Sequence, residues 1–467
     1  MNIRQIKERY FGDRDFYLRL LVIAVPIMIQ NGITNFVSML DNIMVGQVGM
    51  EQMSGVAIVN QLLFVYNLCI FGGLSGAGIF TSQYFGQGDE DGIRHTFRYK
   101  LWLAGLLTAG AVLLFILKGD SLIGLYLRGS SDGGDLALTL ASGRRYMLVM
   151  LLGLPAFMLV QTYASTLREC GETVVPMFAG IAAMSVNLIF NYLLIYGKLG
   201  FPVLGVVGAG IATAMSRYVE ALIVIIWTHT HKVRMAFAAG LYRTMRVPLG
   251  LVRQFIIKGA PLLFNETLWS GALAMLYQCY SVRGLGVVAG MNIASTVNNV
   301  FNVVFITLGS AIGILMGQML GAGQIREAQE ANRKMTVFAV LVCFGIALIM
   351  IPVAFWFPKI YNTTDDARRI ACLVILAQAA FMPQNSFLNA VYFTIRSGGK
   401  TLITFFFDSV YIWLVSVPMA FVLSRFTDIN VVMIFVLVQL VDLVKCVIGY
   451  ILLKKGIWLN TIVHTED

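Results

Sequence analysis

The feature that most constrains this chain is a series of long apolar runs, since a membrane-spanning helix needs about 20 mostly apolar residues. Twelve such runs can be distinguished, and most charged residues lie between them. The runs cover residues 21–45, 54–82, 101–117, 143–166, 174–196, 208–228, 260–281, 287–317, 336–357, 371–394, 402–423 and 431–453. The sequence therefore predicts an all-α membrane protein with twelve transmembrane helices.

Composition and charge agree with a chain that is buried in lipid. Hydrophobic residues make up 58% of the sequence and charged residues 12%, whereas about 25% of residues are charged in soluble proteins. The net charge of +10 does not indicate nucleic-acid binding, because the Lys and Arg lie between apolar runs rather than in a basic stripe with interleaved aromatic residues. If the N-terminus is cytoplasmic, the cytoplasmic side carries roughly twice as many Lys and Arg as the outer side, which fits the positive-inside rule. We therefore expect both termini in the cytoplasm.

The two halves of the chain resemble each other. Shifted by 235 residues, FGGLSGAGIFTSQYFGQG aligns with ITLGSAIGILMGQMLGAG, so that Pro26 matches Pro261 and Gly86 matches Gly321. Shifted by 228 residues, LRECGET at 167–173 aligns with IRSGGKT at 395–401. An even number of spans separates the repeats, so both halves have the same orientation. The sequence predicts an N-lobe of six helices at 1–230, a cytoplasmic linker at 231–258 and a C-lobe of six helices at 259–467. Two pseudo-twofold-related lobes around a central cavity are typical of alternating-access transporters.

The most informative acid is Asp41, in the outer half of the first span. An aspartate costs about 2.5–3.5 kcal/mol at the centre of a membrane helix and usually faces a cavity. A single buried carboxylate can hold a proton until a competing cation displaces it, as an antiporter requires. Asn187 and Asn191 lie one helical turn apart, so they share a face and could supply oxygens or hydrogen bonds to Asp41. We interpret the three residues as a site for a coupling ion or a substrate cation rather than as a helix cap.

A second candidate cation site lies in the predicted C-lobe. Glu266 sits in the seventh span within NETLWSG, and Asp408 sits in the eleventh within FFFDSVYIW. Glu266 matches Asn31 in the repeat, so the two lobes are chemically different. Aromatic faces attract organic cations, although packing or lipid contact is the commoner role of any one ring. The weaker candidates for lining a substrate cavity are Gln30, Asn31, Tyr411 and Trp413.

Two further pairs of charged residues have the spacing of ion pairs within one helix. Arg217 and Glu220 are three residues apart, as are Asp442 and Lys445. Arg217 matches Lys445 under the shift of 228, and a cation at the same place in both lobes indicates an architectural role. We expect these four residues to form structural ion pairs.

Nothing in the sequence indicates catalysis or a cofactor. The four histidines fall in predicted loops, whereas a membrane-embedded enzyme would need such residues at membrane depth. The six cysteines have neither disulfide nor metal-site spacing. A channel is disfavoured, because the repeated lobes carry asymmetric acids. We expect neither an enzyme nor a cofactor.

Several motifs carry a resemblance to a known family. They are Pro26 followed by DNIMVGQVG at 41–49, the Gln-x-x-Gly-x-Gly ends at 83–88 and 318–323, LRECGET, NLIFNYLLIYGKLG from 187, and LGVVGAGIAT at 204–213. Together they are similar to the multidrug and toxic compound extrusion (MATE) family over nearly the whole chain. The resemblance implies a twelve-helix antiporter that exports small organic cations in exchange for H⁺ or Na⁺. It also implies a monomer in the bilayer of the cell inner (plasma) membrane.

The details of the resemblance favour one branch of the family. The DinF-like branch has an aspartate in the fifth span, where this chain has Asn191, so the chain is closer to the NorM-like branch. Glu266 resembles the seventh-span glutamate of that branch, but span 371–394 lacks its tenth-span acid and the eleventh span has Asp408 instead. A sodium ion could then bind at Asp41, or at Glu266 and Asp408. The alternative is a lipid-linked precursor flippase of the same superfamily. A flippase favours basic residues in its cavity, whereas two basic residues and five acids lie well within the spans here.

Overall fold

The computed structural model describes residues 8–127 and 135–463, apart from the side chains of Met39, Asn42 and Ile43. These residues are almost entirely helical, and every predicted span lies on a long helix. We number the long helices α1 (Arg14–Gly46), α2 (Met50–Gln87), α3 (Glu90–Leu127), α4 (Leu136–Glu169), α5 (Val174–Tyr196), α6 (Val206–Thr230), α7 (Leu249–Ser281), α8 (Leu285–Gly321), α9 (Ile325–Trp356), α10 (Asp365–Ser397), α11 (Thr401–Phe426) and α12 (Val431–Lys454). The all-helical fold predicted from the sequence is confirmed.

Among the described residues, eleven helical segments are long and apolar enough to cross a membrane. The remaining predicted span lies on α7, where Asn265 and Glu266 interrupt the apolar run and lower its mean hydropathy. Several helices are longer than their apolar runs: α3 begins at Glu90, well before the predicted start at residue 101. The prediction missed this first part because it carries charged residues, although Arg98 and Lys100 are buried against other parts of the protein. The chain is a multi-pass membrane protein.

Helix α11 departs from α-helical geometry in its middle. It begins as an α-helix at Thr401–Phe405, continues as π-helix at Phe406–Val410 and Ile412–Ser416, and ends as an α-helix at Val417–Phe426. A π-turn widens the helix and occurs frequently at functional sites. Asp408 lies in the first of these wide turns.

The chain divides into two compact units. The N unit comprises Ile29–Thr81 and Glu90–Ile256, and the C unit comprises Met1–Met28, Ser82–Asp89 and Ile257–Asp467. Each unit has its own apolar core, around Leu63, Ile70 and Leu151 in the N unit and around Ile312, Met316 and Val374 in the C unit. These units reflect compactness rather than the internal repeat, so the lobe boundaries stay a prediction.

In the C unit, the ends of α2 and α8 meet backbone to backbone. A Cβ atom on Gly86 would lie 1.8 Å from the carbonyl oxygen of Gln318, and one on Gly321 would lie 1.9 Å from that of Gln83. The contact is reciprocal, because Gly86 and Gln83 match Gly321 and Gln318 under the shift of 235. Only glycine allows two helix backbones to approach so closely.

The segment after α12 packs into the same region of the C unit. The buried Gln83 amide donates to the carbonyl oxygens of Ser397 at 2.9 Å and Asn460 at 3.3 Å, and it accepts from the backbone N–H of Ile462 at 2.8 Å. Trp458 is 1% exposed, and its carbonyl oxygen would lie 1.8 Å from a Cβ atom on Gly398. Residues 457–463 are therefore packed against the rest of the C unit.

In the N unit, the predicted linker is bound along α3. Three α3 side chains at helical spacing, Arg94, Arg98 and Trp102, donate to backbone carbonyl oxygens of the linker. Their acceptors are Phe237 at 3.2 Å, Leu241 at 2.9 Å and Met245 at 3.0 Å. This part of the linker is thus fixed to the N unit, and its last residues already form the start of α7.

Candidate functional site

The N unit brings together the three residues predicted around Asp41. Asn191 Nδ2 donates to Asp41 Oδ1 at 2.6 Å and lies 3.1 Å from the side-chain amide of Asn187. Both asparagines are buried, at 5% and 1% exposure for Asn187 and Asn191. Thr213 of α6, which the sequence analysis did not select, adds a hydroxyl 3.2 Å from the Asn187 side chain. α1, α5 and α6 therefore form a polar cluster around one carboxylate in an otherwise apolar unit.

The Asn187 amide lies within hydrogen-bond distance of both carboxylate oxygens of Asp41. One of its terminal atoms lies 3.0 Å from Asp41 Oδ1 and 3.2 Å from Oδ2. If that atom is the nitrogen, it donates to Asp41, and the amide oxygen accepts from Thr213 Oγ1 at 3.2 Å. If that atom is the oxygen, three oxygens converge and repel one another until a proton or a metal cation lies between them. The contacts of Asn187 favour the first assignment, in which its nitrogen donates to Asp41 and its oxygen accepts from Thr213.

Gln30 and Asn31 are not in contact with Asp41. They precede it on α1 by about ten residues, which is about 15 Å along a helix. Gln30 instead packs against α5, where its Nε2 would lie 3.1 Å from a Cβ atom on Gly180. Their part in a substrate cavity stays a prediction.

The ion pair between Arg217 and Glu220 is present on α6. Arg217 Nη1 lies 3.0 Å from Glu220 Oε2, and the guanidinium also lies 5.4 Å from the centre of the Phe157 ring. Glu220 is 4% exposed, so its charge is neutralised within its own helix.

The C unit links Glu266 and Asp408 through two residues that the sequence analysis missed. Tyr392 OH of α10 donates to Glu266 Oε1 at 3.2 Å. Asn265 Nδ2 donates both to Tyr392 OH and to Asp408 Oδ2, each at 3.2 Å. Ser409 fixes the Asn265 amide, because its backbone N–H and its hydroxyl donate to Asn265 Oδ1 at 3.3 and 2.7 Å. The two carboxylates thus belong to one hydrogen-bonded chain across α7, α10 and α11.

Lys445 completes this chain, but with a partner other than the one its spacing predicts. Its Nζ lies 2.8 Å from Asp408 Oδ1, on the neighbouring helix, rather than pairing with Asp442 one turn earlier on α12. Asp442 Oδ1 is buried and accepts no hydrogen bond. The ammonium also lies 5.1 Å from the centre of the Phe407 ring and 6.0 Å from that of Tyr411. Spacing within one helix could not reveal this, because the preferred acid comes from another helix.

The aromatic candidates near Asp408 are held by backbone acceptors. Tyr411 OH donates to the carbonyl oxygen of Val441 at 2.8 Å, which fixes its ring beside α12. Trp413 Nε1 donates to the carbonyl oxygen of Leu268 at 2.8 Å. Tyr411 therefore contributes a ring face near Lys445, whereas Trp413 joins α11 to α7.

A third buried ion pair lies in the N unit. Lys100 is 0% exposed, pairs with Glu169 and donates to Thr166 Oγ1 at 3.1 Å. Lys100 lies one residue before the predicted third span at 101–117, and its burial was not predicted, because long-range burial of a lysine leaves no local signal. Glu169 belongs to LRECGET, and the next acid in that motif, Glu172, pairs with Arg234 at 2.7 Å.

Within the described parts of the chain, no group of three or more His, Cys, Asp or Glu side chains could hold a metal ion. His95 lies on α3 and His229 on α6, so the prediction that both are in loops was wrong. His464 lies outside the described residues. An ion at the Asp41 cluster would therefore depend on amide and hydroxyl oxygens beside a single carboxylate.

Long apolar helices with internal carboxylates define a polytopic membrane protein of the transporter class. The fold is that of solved transporters. The Vibrio cholerae MATE transporter VcmN, as a D35N mutant, superposes with a TM-score of 0.84 at 16% identity over 95% of this chain and 97% of that chain. A MOP superfamily transporter from Pyrococcus furiosus, described with a binding pocket of reverse polarity that suggests a different function, gives 0.83 at 16% over 98% of both chains.

Sequence comparison gives the family. The MatE family model matches twice, at residues 26–193 and 261–422, in agreement with the internal repeat. The probable multidrug resistance protein NorM of Thermotoga maritima is 25% identical over 422 residues, covering 88% of this chain and 86% of that protein. The chain belongs to the MatE family, and it is a NorM-like MATE transporter rather than an enzyme.

Proposed function

We propose that this protein is a secondary active antiporter that exchanges extracellular H⁺ or Na⁺ for cytosolic, mostly cationic amphipathic compounds. The observation that carries the proposal is the Asp41 cluster, in which one carboxylate is surrounded by neutral amide and hydroxyl groups. Asn191 Nδ2 lies 2.6 Å from Asp41 Oδ1, and among the described residues no basic side chain forms an ion pair with Asp41. Such a carboxylate gains most from a mobile cation or a proton.

The cycle follows from competition for carboxylates. An ion from outside occupies Asp41, or the Glu266 and Asp408 network, and cargo leaves outward. The ion-loaded protein then opens to the cytoplasm, the ion leaves, and a cytosolic cation binds. Coupling requires that ion and cargo differ in their affinity for the two conformations. We propose that the protein is a monomer in the cell membrane. Both of its termini then lie in the cytoplasm.

The flippase alternative is disfavoured, because three cations inside the helical units are already paired with carboxylates. A pyrophosphate group would need basic residues that are free to meet it. Lys100, Arg217 and Lys445 are each paired with a carboxylate, and the latter two pairs have distances of 3.0 and 2.8 Å. The hydrogen-bonded network of the C unit contains two acids, Glu266 and Asp408, and one cation, Lys445. This excess of acids suits cationic cargo.

The test is accumulation of ethidium in a pump-deficient bacterial host that expresses the wild type, Asp41→Asn or Glu266→Gln at equal levels. The proton gradient and the sodium gradient are collapsed in turn. Asp120→Asn is a matched control, because it removes an acid that is 52% exposed and paired only at the surface with Arg144. We expect the wild type and the control to lower accumulation and Asp41→Asn to fail.

The outcomes separate the alternatives. The gradient whose collapse abolishes export identifies the coupling ion. If Glu266→Gln alone is inactive, coupling belongs to the C unit. If the wild type exports no cationic compound under either gradient, the antiporter proposal is wrong and the flippase alternative takes its place.

A further inference from the structure

The surroundings of Lys445 are those of a binding site for an organic cation. Asp408 supplies a carboxylate at 2.8 Å, and the rings of Phe407 and Tyr411 lie 5.1 and 6.0 Å from the ammonium. A carboxylate with aromatic faces within about 6 Å is the arrangement that binds quaternary ammonium and other cationic ligands. In this structure the occupant is a lysine of the same chain.

A second acceptor is available to that lysine. Asp442 precedes Lys445 by three residues on α12, so the two side chains share a helix face and can meet. Asp442 Oδ1 is buried and has no hydrogen-bond partner in the described structure. A buried carboxylate oxygen without a partner is costly, and rotation of Lys445 towards it would remove that cost while freeing Asp408.

Charge balance permits the exchange. Asp408, Asp442 and Lys445 together have one negative charge in excess when both acids are ionised. A single monovalent cation at Asp408, with Lys445 on Asp442, would neutralise the group. Arg217, which matches Lys445 in the repeat, cannot exchange between two acids in this way. It pairs with Glu220 of its own helix, and the position that corresponds to Asp408 under the shift of 228 is Gly180.

We propose that Lys445 is a resident cation that occupies the Asp408 site and moves to Asp442 when a transported cation takes its place. Lys445 is thus a specificity-determining residue: it sets the affinity that a cargo cation must exceed and limits this site to one positive charge. The inference rests on the proposed export of organic cations and names the site where one binds in the C unit.

The test is a double-mutant cycle on the full-length protein in lipid nanodiscs, with tetraphenylphosphonium as the probe and equilibrium binding as the readout. The variants are Asp442→Asn, Lys445→Met and the two combined. We expect Lys445→Met to tighten binding, because the competitor is gone. Asp442→Asn should weaken binding by about tenfold when Lys445 is present and leave it unchanged in the Lys445→Met background, since the two residues act as a unit.

Equal effects of Asp442→Asn in both backgrounds would overturn the proposal, because Asp442 would then act independently of Lys445. If the wild type does not bind tetraphenylphosphonium, both the proposed function and the Lys445 exchange are wrong. If the wild type binds the probe but the effects of the two substitutions are additive, only the Lys445 exchange is wrong.

Lys445→Met leaves the partly buried Asp408 without its cation and could prevent assembly. In that case, a cryo-electron microscopy structure of the wild type with tetraphenylphosphonium decides the question. Lys445 Nζ on Asp442, with the probe beside Asp408, is the expected result. Lys445 Nζ still on Asp408, with the probe bound anywhere, overturns the exchange.

Discussion

Replacing Gly86 by alanine tests how closely the ends of α2 and α8 meet. The added Cβ would lie 1.8 Å from the carbonyl oxygen of Gln318, whereas carbon and oxygen atoms in contact are about 3.3 Å apart. One helix end must therefore move by roughly 1.5 Å, and both contacting groups belong to backbones that cannot rotate away. Overpacking of this kind costs about 1–3 kcal/mol, against a gain of at most about 1 kcal/mol from helix propensity. We expect Gly86→Ala to lower the free energy of unfolding by about 1–2 kcal/mol.

The assay is thermal unfolding of the purified protein in one detergent, with Gly345→Ala as the matched control. Gly345 lies within α9, and nothing lies within 4 Å of the position its Cβ would take. The control should therefore be neutral or slightly stabilising. A Gly86→Ala variant as stable as this control would refute the close contact.

The reciprocal geometry makes a sharper prediction for two substitutions. A Cβ on Gly321 would meet the carbonyl oxygen of Gln83 at 1.9 Å, at the same crossing. One separation of the helices relieves both clashes, so the combined variant should lose less stability than the sum of the single variants. Strict additivity would mean that the two glycines belong to independent contacts.

Three further predictions concern buried groups outside the proposed cation sites. Gln83→Ala removes the hydrogen bonds that hold residues 457–463, so limited proteolysis should cleave this segment faster than in the wild type, while Gln324→Ala, on an exposed amide, should not change the rate. Burial raises the pKa of the Cys170 thiol, which leaves less thiolate at neutral pH; peptide mass mapping should show no N-ethylmaleimide on Cys170 until the protein is unfolded. Lys100→Met removes the buried cation that pairs with Glu169 and should destabilise the protein by about 3–5 kcal/mol in thermal or denaturant unfolding, and Glu169→Gln in the same chain should restore part of that loss.

Apolar run length was sufficient to predict the number and order of the long helices, although α7 is less apolar than the other eleven described segments. It did not give their ends. The early start of α3 at Glu90 is stabilised by contacts of Arg98 and Lys100 with distant segments. The π-helical turns of α11 were not predicted either, although Pro418 lies just after the second of them.

The same limit applies to the candidate sites. Asn187 and Asn191 could be grouped with Asp41, since two amides one turn apart share a face and a lone membrane carboxylate needs polar partners. Tyr392 and Asn265 were missed because their role is to connect residues on three helices. Sequence spacing predicts which side chains share one helix face, whereas the neighbouring helices decide which of them meet.

The internal repeat gives the two halves equivalent helix contacts, but their charged residues differ. Gly86 and Gly321 are equivalent in sequence and make reciprocal contacts. Asp41, by contrast, aligns with Leu276, and Asp408 aligns with Gly180. Equivalent cations therefore have different surroundings: Arg217 is neutralised within its own helix, whereas Lys445 pairs with Asp408 across helices and has a second carboxylate one turn away. If the two halves bound cations in the same way, substitution at either site should change the same transport step. The asymmetry instead leads us to expect that Asp41→Asn alters the dependence on the coupling ion, while Lys445→Met alters the affinity for cargo.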